Sequence, residues 1–158
     1  MGFIDRAVEA CARAMERGDV SGRHVRDVLR CERVDVGPFV RFLDAEEPMV
    51  RTMAARIVGE KGSSTKELLD AALKEKDTVV LMEMLGQLAL HPEAVEAMAG
   101  LLNSYNLMIR DAAVDMFRRS GRADCLFPML FDNDDMVVER TKRYLNEQTR
   151  KDGEVVGP

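Results

Sequence analysis

Three cysteines and two histidines are the strongest candidates in this chain for a nucleophile or a transition-metal ligand, and their spacing supports neither. Cys11, Cys31 and Cys125 form no CxxC pair and are odd in number, so they read as reduced, mostly buried thiols. Cys31 lies seven residues after His24, close enough to share a helix face, but two residues on one amphipathic helix explain that spacing without a nucleophile–base pair. Asp132, Asp134 and Asp135 suggest calcium, yet the run lacks the glycine and twelfth-position glutamate of an EF-hand loop and reads as a solvated turn. No G-x-x-x-x-G-K-[ST] loop is present. The residues therefore predict no catalysis, metal or cofactor.

What the chain does carry is a repeating apolar ladder. Leu43, Leu73, Leu102 and Leu130 recur at intervals of 30, 29 and 28 residues. Four residues before each stands Phe39, Leu69, Met98 or Leu126, and seven after stands Val50, Val80, Ile109 or Val137. Ala54, Met84, Ala113 and Thr141 follow, then Val58, Leu88, Phe117 and Leu145, so the framework is written four times with one lapse, at Thr141. A fixed period of this size marks stacked supersecondary units, because no single unit can bury its own apolar face. The internal spacing reads as a short helix A and a longer helix B.

The punctuation agrees. Gly37-Pro38 opens the first helix A, and Pro48 suits the first position of helix B. Gly62 is expected to close that helix in a left-handed conformation, and Ser64 with Glu67 to box the next. Asp77, Asn106 and Asp134 are the expected caps of the later B helices, Gly121 ends the third, and Pro128 disturbs the last helix A. Upstream, two helical segments near 3–17 and 21–33 form a divergent end hairpin, with Ser21 as a cap. The expected organisation is one all-α domain over 1–150: an N-terminal capping hairpin at 1–36, repeats at 38–62, 64–90, 92–121 and 122–148, and a disordered tail at 151–158.

Paired helices with Val-Arg or Ile-Arg early in helix B resemble HEAT repeats. The best matches are Leu43-Asp44, Val50-Arg51 and Ala54-Ala55, and then Leu102-Asn103, Ile109-Arg110 and Ala112-Ala113. The short period is most similar to the phycobilisome-lyase-type HEAT-like subgroup. The resemblance covers about residues 38–148 and implies a right-handed α-α superhelix, a solenoid of about five antiparallel helical hairpins. It also implies that the helix B arginine pairs with an acidic residue of a neighbouring unit. Repeats two and four depart from this, with Leu81 and Val138 in its place. HEAT-like di-iron hydroxylases bind metal through several His-Glu pairs. Here His24 precedes Val25 and His91 precedes Pro92, so that activity is not carried over.

The expected function is that of a non-catalytic scaffold binding a peptide or protein on the concave face lined by the B helices. Residues 78–90, TVVLMEMLGQLAL, are apolar around nearly the whole helix, which is either buried all round or exposes a patch. The expected patch comprises Leu81, Met82, Leu85, Val114 and Val138, rimmed by Arg51, Arg56 and Arg110. Burial in a homodimer or in an ordinary core are the other readings of that helix. An accessory subunit of a lyase or maturation-type enzyme is the alternative function. A nucleic-acid scaffold is the second, drawing on Arg118, Arg119, Arg122, Arg140, Lys142 and Arg143. The net charge of −5, the interrupting acids and the scarcity of aromatics weigh against it. The start MGFIDRAVEACARAM has Asp5 and Glu9 and does not read as a secretion signal; no stretch is apolar enough to span a membrane, and a cytoplasmic protein is expected.

Overall fold

The computed structural model describes residues 2–62 and 65–156, the last five of these as backbone only. Among them every regular element is helical. The chain divides into two compact units, Met1–Leu90 and His91–Pro158, so the boundary falls between the second and third repeats.

The first unit holds α1 (Phe3–Arg17), α2 (Gly22–Leu29), α3 (Gly37–Val40) continued by a 3-10 turn (Arg41–Asp44), α4 (Pro48–Lys61), α5 (Lys66–Lys74) and α6 (Thr78–Leu88). Here α1 packs on α2, and α4 packs on α2, the Arg41–Asp44 turn and α6. The second unit holds α7 (Pro92–Val95) continued as a 3-10 segment (Glu96–Asn103), α8 (Leu107–Arg119), a 3-10 segment (Ala123–Phe131) and α9 (Asp135–Val156). Each of its B helices packs on the A segment before it.

The ladder is the core. Fifteen of its twenty positions are buried, among them Phe39, Val50, Ala54, Met84, Leu88, Met98, Phe117, Leu126 and Val137. Side chains at i, i+4 and i+8 of an α-helix share one stripe, and removing that stripe from water drives the helices together. The B helices begin as their sequences predict. Asp77 Oδ1 accepts from the backbone N–H groups of Val79 and Val80 at 2.9 and 3.1 Å. Asn106 Oδ1 does the same for Met108 and Ile109, and Asp134 Oδ1 for Met136 and Val137. Ser21 sits at the N-cap of α2, where its N–H donates to His24 Nδ1 at 3.1 Å. Gly121 ends the α8 region at φ 78°, a left-handed conformation that glycine adopts without steric cost.

Two of the A segments depart from the expected stripe, in different ways. Pro128 lacks an N–H and sits inside Ala123–Phe131, which is 3-10 throughout rather than a kinked α-helix. A 3-10 helix repeats every three residues, so Ala123, Leu126 and Met129 are buried while Leu130 is only half-buried. In α5, a regular α-helix, the buried residues are Leu68, Ala71 and Ala72; Leu69 is half-buried and Leu73 is 60% exposed. The stripe there is rotated by one residue from the expected pair. Gly62 has φ −76° and ψ 143°, so it leaves α4 in an extended conformation instead of a left-handed one. Ser64, expected to cap α5, lies outside the described residues. The tail expected to be disordered from Lys151 continues α9 as far as Val156.

Thr141 occupies the rung where the other repeats have Ala54, Met84 and Ala113. It is fully buried, and its hydroxyl has no hydrogen-bond partner. An unpartnered buried hydroxyl costs free energy that an isosteric methyl does not. Thr141→Val is therefore expected to stabilise the protein by about 1 kcal/mol in denaturant unfolding. An unchanged or lower midpoint would show that the hydroxyl is solvated or bonded in solution.

Candidate binding surface

The two arginines of the repeat motif sit early in α4 and α8, and in both units they do the same thing. Arg51 clamps Glu75 at two points, Nε donating to Oε2 at 2.8 Å and Nη2 to Oε1 at 3.1 Å. Its Nη1 donates to the carbonyls of Ala45 and Glu46, in the loop that enters α4. Arg110 clamps Asp132 in the same way, Nε to Oδ2 at 3.1 Å and Nη2 to Oδ1 at 3.2 Å, while Nη1 donates to the Ser104 carbonyl at 2.9 Å. The side chains are nearly sealed from solvent, at 17% and 5% exposure for Arg51 and Glu75 and 12% and 8% for Arg110 and Asp132.

The carboxylates then pass the connection on. Glu75 Oε1 accepts from the backbone N–H groups of Lys76 and Asp77, and Asp132 Oδ1 from that of Asp134. Asp77 and Asp134 are the caps of the following B helices. Each arginine thereby ties its own entry loop to the acidic loop and helix start of the next repeat. A planar guanidinium with five donors suits this role, because it can serve a carboxylate and a carbonyl at once.

The expected patch does not form on the surface. In the first unit Leu81 is 4% exposed and Leu85 is buried, because α6 lies against both α4 and α5. Met82 alone of that helix's three patch residues is exposed. In the second unit Val114 is fully buried and Val138 half-buried, since α8 packs on Glu96–Asn103, Ala123–Phe131 and α9. The buried stripe of a B helix is thus two residues wide, Met84 with Leu85 and Ala113 with Val114. Arg51 and Arg110 are braces, and Arg56 is bonded to Glu83 at 2.8 Å, which leaves no free arginine rim.

The basic residues considered for nucleic acid are partnered as well. Arg118 pairs with Glu147, Arg119 with Asp115, Arg122 with Asp124 and Glu96, Arg140 with Asp111, and Lys142 with Glu139. Arg143 lies over the Tyr144 ring. Of the thiols, Cys31 donates to the Asp27 carbonyl and Cys125 accepts from Arg122 Nη2 at 3.3 Å. Cys11 is fully buried. Desolvation, with a smaller contribution from the Asp27 charge, pushes its pKa up to about 11. Among the described residues no group of three or more His, Cys, Asp or Glu is arranged to hold a metal ion, and no helix is long and apolar enough to cross a membrane.

What the sequence reading missed is the residue just before each helix B rung. Met49, Val79, Met108 and Met136 all occupy this place, at intervals of 30, 29 and 28 residues, and all are exposed. The second unit adds Tyr105, Leu107 and Phe131 beside it; Tyr105 is fully exposed and Phe131 is 90% exposed. The signal was present as a second apolar column in the repeat, adjacent to the ladder. Comparison with known proteins gives no family model, no curated protein and no solved structure that matches this chain.

Two predictions follow from this geometry. Arg110→Met strands the Asp132 charge in a nearly solvent-free site and is expected to destabilise the protein by about 3 kcal/mol. The same change in an Asp132→Asn background should cost much less; equal losses in the two backgrounds would show that the ion pair is not the source. For Cys11, burial pushes the folded thiol up to about 11, above the ordinary thiol value of 9.0. Burial of the neutral thiol therefore contributes stability that is whole below pH 9 and is lost as pH rises through 11. Denaturant midpoints across that window should fall less steeply in Cys11→Ala than in the wild type, and parallel curves would refute the shift.

Proposed function

We propose that this chain is a non-catalytic protein-interaction scaffold of HEAT-like design, its helical pairs forming a right-handed solenoid that presents a fixed surface to a peptide or protein partner. The observation that carries the reading is the column of exposed apolar side chains at one place in the repeat: Met49 and Val79 in the first unit, Met108 and Met136 in the second. A single exposed apolar residue needs no explanation, but the same repeat position exposed twice in each unit is a pattern. Methionine is also the side chain best able to adapt to a partner's shape. The Arg51 and Arg110 braces support the HEAT-like part of the reading, since each joins one repeat to the next with the same bonds. On this view the contact surface lies at the first turns of the B helices, and the buried Leu81, Leu85 and Val114 support it from inside.

The test is affinity capture from a native cell extract with the wild type and with a Met49→Ser/Val79→Ser/Met108→Ser/Met136→Ser variant. All four sites are exposed, so helical circular dichroism should be unchanged. A protein retained by the wild type and lost by the folded variant is the expected result. The same set of proteins with both, or none with either, would overturn the reading.

A further inference from the structure

The brace leaves a hollow at the same place in both units, between the entry loop of one helix B and the acidic loop that follows. In the first unit it is an open depression of about 260 Å³ lined by Leu43, Ala71, the Arg51–Glu75 pair and charged side chains. In the second unit it is an open depression of about 650 Å³ over the Arg110–Asp132 pair. Counting from the arginine and its acid, the positions match one for one, and the lining changes character. Tyr105 and Leu107 stand where the first unit has Glu46 and Pro48. Phe131 and Asn133 stand where it has Lys74 and Lys76. Both ammonium groups are lost, to Phe131 and Asn133, while Tyr105 and Leu107 replace a carboxylate and a proline ring.

The chemistry of the second hollow favours a cation. The chain is poor in aromatics, with six Phe and two Tyr, yet two of the eight are set at this rim and left almost wholly exposed. Aromatic faces attract guanidinium and ammonium groups. Arg110 is committed to Asp132, so it offers nothing to an anion. Asp134 lines the hollow, and Asp135 follows it, exposed. Asp134 Oδ1 accepts the two N–H bonds that cap α9, which holds the carboxylate at the edge of the hollow. Leu107, Met129 and Pro128 supply apolar wall beside these groups.

We infer that the hollow framed by Tyr105, Leu107 and Phe131 is a docking site for a basic peptide segment of a partner protein, taking a lysine or arginine against the rings and Asp134 and a neighbouring apolar side chain against Leu107. This names the partner chemistry of the scaffold reading above and rests on it.

The test uses the full chain and three fluorescein-labelled synthetic peptides of one length, in which leucines alternate with lysines, with glutamates or with serines. Binding is read by anisotropy. The lysine peptide is expected to bind about tenfold or more tightly than the other two, and to weaken as salt is raised. Tyr105→Ser/Phe131→Ser is expected to lose about tenfold for that peptide, while Glu46→Ser/Lys74→Ser, at the matching positions of the first unit, changes little. All four residues are exposed, so the variants should fold. Equal binding of the lysine and glutamate peptides, or undiminished binding by the aromatic variant, overturns the inference. If that variant binds normally and the four-site serine variant does not, the hollow is wrong and the scaffold reading survives. Loss of a wild-type dimer in the aromatic variant, seen by sedimentation, would make a second copy of the chain the occupant and would equally overturn it.

Discussion

The arginine brace is the constraint on which the rest of the structure depends. Apolar stripes drive helices together but do not fix how one helical pair is set against the next. Arg51 and Arg110 supply that directional element, because a guanidinium bonded to two carboxylate oxygens and a loop carbonyl tolerates little displacement. The acid it holds also orders the following loop, and that loop's Asp77 or Asp134 caps the next B helix. One side chain thereby couples the exit of one repeat to the start of another. Near-complete burial strengthens the pair's electrostatics and makes its disruption costly.

The same geometry decides where a surface is left over. A B helix enclosed by several neighbours buries two adjacent stripes, so its mid-helix apolar residues serve the core. Its first turn projects beyond that packing, and the apolar residue there stays exposed in every repeat. The brace borders a hollow in each unit, and the residues at its rim differ between the two units. In the first unit they are charged, and in the second they are aromatic and aliphatic. The contrast between two otherwise matching hollows is what gives the second one its chemical character.

The repeat length, the ladder and the caps Asp77, Asn106 and Asp134 were legible in the sequence because each depends on residues within one turn or at one fixed period. The register of α5 was not, since Leu69 and Leu73 fit the stripe as well as Leu68 and Ala72 until neighbouring helices choose between them. The 3-10 character of Ala123–Phe131 was only hinted at by Pro128. The candidate site was read least well. Apolar residues around the whole of α6 were compatible with a patch or with burial, and only the packing of α4 and α5 on it separates the two. The arginines early in helix B were assigned both to a rim and, through the HEAT resemblance, to a brace; their bonds to Glu75 and Asp132 decide for the brace.

Amide hydrogen exchange of the wild-type protein tests the brace most directly. The N–H groups of Lys76, Asp77 and Asp134 lie in short loops, yet each donates to a carboxylate that an arginine holds. The account predicts that these three amides exchange slowly, opening together with α4 in the first unit and α8 in the second. Exchange at the rate of an unstructured loop, with α4 and α8 still protected, would contradict it.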